Sequence, residues 1–393
     1  MKFVKALSLS LLGFFLFLAL SIFGLLYMLD STLLKPEFVV AELNSLDASA
    51  LAEELVDIES PPEVPNFEQV INKTVADVEP VIKEELGSAI FSVYDYLLGK
   101  TDSLDLKSIL RNTFFSADFV SSVVDNTDIS SLAGVFISQQ FAGSIPVEIT
   151  NLDKYITDAI AAAEPSLKEE IVAAADPVFD YLLMESQTLD VSISLEEVKR
   201  NLRDKLLQVF LESPPPELAA IPPNMREPIF NQFYDEFSQE IPSTFQLDET
   251  VIGTDAPANI AEGIAQTTET LTEIRQYVAY FQLGYKLLIV IMLLLVAGII
   301  LISRDVVDIS RRLGTPLLTY GALQYAGIWL ARYFAEKQVE MPGVPASLQS
   351  WIIQLSYDLI APLEVFSLAL LVGGVVLVVV SFVYKRRQPP AEE

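Results

Sequence analysis

The sequence predicts a mainly α-helical membrane protein, a four-helix transmembrane bundle joined to a large helical-repeat extracytoplasmic domain with minor β structure. Three observations predict it. Four apolar segments are spaced as one plus three; about 250 acidic, water-compatible residues separate the first from the rest; and part of that acidic stretch repeats itself.

The apolar segments fall at residues 6–29, 282–303, 313–335 and 359–384. Each is about 20 residues or longer, enough for roughly 30 Å of hydrocarbon at about 1.5 Å per helical residue. The third is the weakest, because Thr315, Thr319, Gln324 and Arg332 interrupt it. If all four cross, Lys2 and Lys5, then Arg304, Arg311 and Arg312, then Lys385, Arg386 and Arg387 all fall on one side. The retention of Lys and Arg in the cytoplasm makes that side the inner one. Residues 1–5, a loop at 304–312 and a tail at 385–393 are then expected inside a plasma (inner) membrane, with residues 30–281 and a loop at 336–358 outside. The first segment reads as an uncleaved anchor, since its apolar run is long for a signal peptide and Tyr27 to Ser31 offer no small-x-small cleavage site.

Charge divides along the same line. Between Asp30 and Tyr280 there are 45 Asp and Glu against 14 Lys and Arg, a net of −31, while the remainder carries 11 basic and 8 acidic residues. So acidic a domain is repelled by anionic headgroups and by nucleic acid, and no aromatic and basic interleaving offers a nucleic-acid surface. Cationic ligands, divalent ions and basic proteins are compatible with it, as is a surface that the charge merely keeps soluble.

The 393 residues contain no His and no Cys. This removes disulfides, thiolate nucleophiles, His and Cys zinc sites, c-type haem attachment and Ser-His-Asp triads. Neither a Walker loop nor G-x-G-x-x-G occurs, so coupling to ATP would need another subunit. Asp102 with Asp105, and Asp125 with Asp128, lack the ladder and central Gly of a calcium loop. The expectation is a protein without enzymatic activity or cofactor.

The repeat is legible at a constant offset. Glu79-Pro80-Val81-Ile82-Lys83-Glu84-Glu85-Leu86 matches Glu164-Pro165-Ser166-Leu167-Lys168-Glu169-Glu170-Ile171, Asp95-Tyr96-Leu97-Leu98 matches Asp180-Tyr181-Leu182-Leu183, and Ser103-Leu104-Asp105-Leu106 matches Thr188-Leu189-Asp190-Val191. Upstream, Asp47-x-Ser49-x-Leu51-Ala52 matches Asp128-x-Ser130-x-Leu132-Ala133 at a slightly shorter offset. Two copies cover residues 31–111 and 112–200, and a Pro-rich third segment, 201–257, contains Leu211 to Glu217, which resembles Ile58 to Glu63. Each copy reads as a short helix, a loop, a long helix, an extended piece (Leu104 to Leu106; Leu189 to Ile193) and another helix. Phe67, Val70, Ile71, Val75, Val78, Ile82 and Leu86 form one buried face, and Ser194-x-x-Glu197 reads as a capping box. Stacked repeats of this kind bury a shared core and leave a face for partners.

A helical stalk is expected at 258–281, where Ile260, Ile264, Thr267, Leu271, Ile274, Val278 and Phe281 alternate by fours and threes into the second apolar segment. Val39, Leu43, Leu46 and Ala50 follow the same alternation, so the two could pair within one chain or, between copies, make a homo-oligomer. No ionisable residue sits mid-membrane; Lys286, Arg332 and Glu364 lie near the outer boundary, where Arg332 and Glu364 could form an ion pair. Trp351, Ile352, Ile353 and Leu355 read as an interfacial anchor in the outer loop.

One span, a large external domain and three further spans is similar in topology to permease subunits of the mechanotransmission class of ABC systems. Arg311-Arg312-Leu313-Gly314 stands where those proteins have a coupling loop. The chain departs from them in its very short N-terminal stretch and its helical repeats. Two functions therefore stand: a bilayer-anchored, non-enzymatic cell-envelope protein whose ectodomain binds a protein partner or acts as a scaffold, or a transport or mechanotransmission subunit served by a separate ATPase.

Overall fold

The computed structural model describes residues 2–55, 67–130, 152–212, 214, 218, 221–239, 242–338 and 344–387. It is mainly helical, 84% helix, with 13 helices and one two-stranded sheet among the described residues. In chain order these are α1 (Lys2–Ser31), α2 (Pro36–Ser45), α3 (Ala48–Leu55), α4 (Phe67–Leu97), α5 (Leu106–Asn112), α6 (Ala117–Asn126), α7 (Leu152–Leu182), β1 (Asp190–Ser194), α8 (Glu196–Glu212), α9 (Pro223–Gln239), β2 (Thr244–Asp248), α10 (Glu249–Ile252), α11 (Ala256–Ser303), α12 (Val306–Gln338) and α13 (Ala346–Arg387). The chain divides into two compact units, one of residues Met1–Leu46, Val93–Ser103 and Leu271–Glu393, the other of Asp47–Ser92 and Leu104–Thr270.

The first unit is built on apolar helices. Three are long and apolar enough to cross a membrane: Phe3–Ser31, Ala256–Ser303 and Ala346–Arg386, with mean hydropathy between 2.5 and 2.9 in their best windows. They carry Leu7, Leu11, Phe14, Leu283, Leu287, Leu294, Val365, Val372 and Phe382 on their outer faces. Water would not tolerate so much uncovered apolar surface, and hydrocarbon does. Three such helices mark a multi-pass membrane protein. Inside, Leu9, Leu16, Leu20, Ile299 and Tyr320 are buried, with Phe17, Met292, Leu295, Leu317 and Phe366 packed around them.

The fourth expected span, residues 313–335, is helical but falls within α12, which is not among the three. Its polar interruptions dilute its apolarity. It is nonetheless tightly held. A side-chain carbon at Gly321 would strike the backbone of Leu371 and Ser367, and one at Gly374 the backbone of Leu318, so α12 and α13 approach at a distance only glycine permits. Gly327 and Gly373, on the same two helices, face open space.

Helix ends differ from the apolar segments that announced them. Only Arg304 and Asp305 separate α11 from α12, so Arg311 and Arg312 are helical rather than part of a nine-residue loop. Likewise α13 begins at Ala346, which places Trp351 to Leu355 in the helix and not in an interfacial loop, and it continues through Lys385 and Arg386. Propagating a formed helix costs little, so hydropathy marks the solvent change and not the helix end.

In the second unit, Ala159, Ile160, Ala163 and Leu167 line one face of α7 and bury against Leu202 and Leu206 of α8 and Phe230 and Tyr234 of α9. Strand β1 pairs antiparallel with β2, from Asp190 opposite Asp248 to Ser194 opposite Thr244. The Tyr234 hydroxyl donates to the Lys199 carbonyl at 2.5 Å, and burial pushes its pKa up to about 12. Ser194 closes the strand: its hydroxyl accepts weakly from the Glu196 N–H at 3.4 Å, its own N–H donates to the Glu170 carboxylate, and no capping box to Glu197 forms. The Glu170 carboxylate takes the backbone N–H that the Glu197 side chain of a capping box would have used.

Helices α4 and α7 are both 31 residues long, and both ends lie 85 residues apart. On α4, Val78 is buried, but Ile82 is 39% exposed and breaks the single face expected. Side chains 67–71 lie outside the described residues, as do residues 58–63 of the suggested third match.

Candidate functional site

No sequence motif nominates a reactive centre, so the candidate sites are the polar clusters at the helix ends. Arg332 of α12 and Glu364 of α13 meet at 2.7 Å (Nη1 to Oε2), each about three-tenths exposed. The guanidinium also lies 5.5 Å from the centre of the Tyr357 ring, seven residues before Glu364 on the same helix. At such exposure the pair contributes modestly, about 1 kcal/mol or less. Beside it, the Trp351 indole N–H donates to the Glu42 carbonyl of α2 at 2.9 Å. Burial and the negative charge of Asp358 together raise the pKa of the Glu42 carboxyl. One of its oxygens, Oε2, is buried without a hydrogen-bond partner among the described residues. The ion pair ties α12 to α13, and the Trp351 hydrogen bond ties α13 to α2.

The stalk-seam residues all lie on α11, a single helix of 48 residues. Val278 is buried and Ile260, Ile264, Leu271 and Phe281 are partly covered, but Ile274 is 39% exposed. Its place on the covered stripe is taken by Arg275, whose guanidinium lies 4.4 Å above the Tyr96 ring and donates to the Asp102 carbonyl at 2.9 Å. The hydroxyls of Tyr96 and Thr272 are hydrogen-bonded at 3.1 Å, and this contact together with Arg275 holds the Tyr96 phenol below its ordinary pKa. Counting apolar residues alone misses a seam position filled by a cation on an aromatic face. The matching seam through Val39, Leu43, Leu46 and Ala50 is not one helix. Leu46 is extended, and the Asp47 carboxylate accepts from the Ala50 N–H at 2.9 Å to start α3 afresh.

Around α3 and α4 the acidic surface does specific work. Glu79 accepts from the N–H groups of Ala48 and Ser49, both at 3.1 Å, and pairs with Lys83 at 2.5 Å. Burial alone would raise the Glu79 carboxyl, but Lys83 and the two amides outweigh it and hold its pKa below the usual value. The carboxylate thus supplies the negative charge that the N-terminus of α3 favours. Its counterpart Glu164 pairs with Lys168 at 2.9 Å. The (i, i+4) spacing of both pairs was visible in the sequence; the reach of Glu79 to a second helix was not.

Among the described residues no group of three or more carboxylates gathers as a metal site. Comparison of the chain with protein families, with curated proteins and with solved structures finds no match.

Proposed function

We propose that the chain is a non-enzymatic integral membrane protein of the cell envelope whose acidic repeat domain, residues 30–257, lies outside the membrane and binds a protein partner or serves as its scaffold. The observation that carries this reading is the likeness of α4 and α7: equal length, an 85-residue offset, the same Glu–Lys pair and the same closing turn. A duplicated module of this kind builds surface rather than a reactive centre, and a net charge of −29 over residues 30–257 suits a basic partner. The bilayer is crossed four times in this reading, α12 included, with both termini in the cytoplasm.

A second reading, a transport or mechanotransmission subunit served by a separate ATPase, draws on one observation. The stalk seam and the second apolar segment belong to one uninterrupted helix, Ala256–Ser303.

Purification of the tagged chain from its native membrane in mild detergent, followed by mass spectrometry of what stays bound, separates the two. An external protein in stoichiometric amount is the expected result; a stoichiometric cytoplasmic ATPase would sink the scaffold reading in favour of the second.

A further inference from the structure

At the opposite end of the apolar helices from Arg332, a cleft of about 470 Å³ opens between α1 and α12, lined by Leu9, Ser10 and Gly13 on one side and by Asp308, Arg311, Arg312, Thr315 and Pro316 on the other. Neither arginine forms an ion pair among the described residues, and neither does Asp308. The Thr315 hydroxyl is committed to the Arg311 carbonyl at 2.8 Å, which leaves Ser10 as the free hydroxyl donor. Two guanidinium groups and one carboxylate give the cleft a net charge of +1. Ser10 shares its helix face with Leu7, Leu11 and Phe14, all exposed on the surface that would meet hydrocarbon.

We propose that this cleft binds a phosphate ester. Arg311 and Arg312 take the phosphate oxygens, since a planar guanidinium fits them in two-point geometry, and Ser10 adds a donor. Asp308, a fixed negative charge on the same lining, weakens the positive field that the phosphate meets. A phosphodiester carries one negative charge, which the cleft neutralises, and the Leu7, Leu11 and Phe14 stripe runs where an acyl chain would lie. The phospholipid headgroup and soluble phosphate are the two sources of this chemistry.

The test uses the full chain in non-ionic detergent, stripped of lipid and titrated with dioleoylphosphatidylglycerol, dioleoylphosphatidylcholine or inorganic phosphate, with bound species read by native mass spectrometry. Wild type is expected to retain the anionic lipid, and R311Q/R312Q to bind it about tenfold more weakly or worse, on the scale of two cationic contacts. K385Q/R386Q, which removes the same charge from the exposed end of α13, is expected to bind as wild type does. Displacement by millimolar inorganic phosphate would keep the site and name soluble phosphate as the source; no displacement names the lipid. Should R311Q/R312Q not fold, D308N gives the opposite sign, a few-fold tighter binding that misfolding cannot mimic. Equal retention by wild type and R311Q/R312Q, an equal loss in K385Q/R386Q, or no tightening in D308N overturns the proposal.

Discussion

Helices α4 and α7 leave their last turns in the same way and then part company. After α4, the N–H groups of Lys100 and Thr101 return to the Asp95 carbonyl, and Gly99 sits at φ +74°. After α7, the N–H groups of Glu185 and Ser186 return to the Asp180 carbonyl, and Met184 sits at φ +57°. Five residues later the paths diverge. Asp105 caps α5, its carboxylate accepting from the Ser108 N–H at 3.0 Å, whereas its counterpart Asp190 opens β1. Turn geometry travels with the local sequence, because left-handed closure needs only nearby backbone groups. Strand or helix afterwards depends on a distant partner: β2 is present for Asp190 to Ser194, and Glu249 takes the Leu189 N–H at 3.2 Å.

The comparison can be broken most strongly at the residue that precedes the divergence. Leu189 is 2% exposed, while Leu104, its counterpart, is only partly covered. Leu189→Ala is expected to cost about 2–5 kcal/mol and Leu104→Ala about 1 kcal/mol, read as a difference in thermal unfolding of the detergent-solubilised chain. Next comes the acid limb. The depressed Glu79 pKa contributes stability that is fully present above its unfolded value and is lost as pH falls through the folded one. Glu79→Gln should therefore flatten the loss of stability below about pH 4.5, where an undiminished slope would assign it to other carboxylates.

The paired tyrosines sharpen the contrast further. Tyr96 and Tyr181 are both buried, but the hydroxyl of Tyr96 bonds Thr272 and its ring carries Arg275. Tyr96→Phe is expected to cost about 1 kcal/mol and Tyr181→Phe close to nothing; equal effects in a melting series would show that the hydroxyl is not what distinguishes the copies. The smallest effect lies in the turns. Gly99→Ala should destabilise by about 1 kcal/mol and Met184→Gly should stabilise by a few tenths to 1 kcal/mol, opposite signs at equivalent positions.

Much of this is legible in the sequence. The two long helices and the extended piece at Leu189 to Ile193 follow from a repeated pattern of apolar spacing; the closing turn after each helix is not read from it. The extended piece at Leu104 to Leu106 did not form, because an Asp followed by good helix formers caps a helix when no strand lies alongside. The Arg332 to Glu364 contact needed only position along two helices to be suspected. Arg275 on Tyr96 and Trp351 on the Glu42 carbonyl were beyond reach, since each joins residues far apart in sequence through a group that hydropathy scores as polar or as interfacial.

The glycine contact between α12 and α13 bears on how the protein enters its membrane. An isolated α12 carries too many polar groups to partition decisively by itself, while α13 has apolarity to spare. In the four-span reading proposed above, with Gly321 and Gly374 seated against the opposing backbone, the two helices would insert as one hairpin, the reluctant helix carried in by its neighbour's complementarity and not by its own solubility in lipid. Fidelity of assembly would then hang on two missing methyl groups.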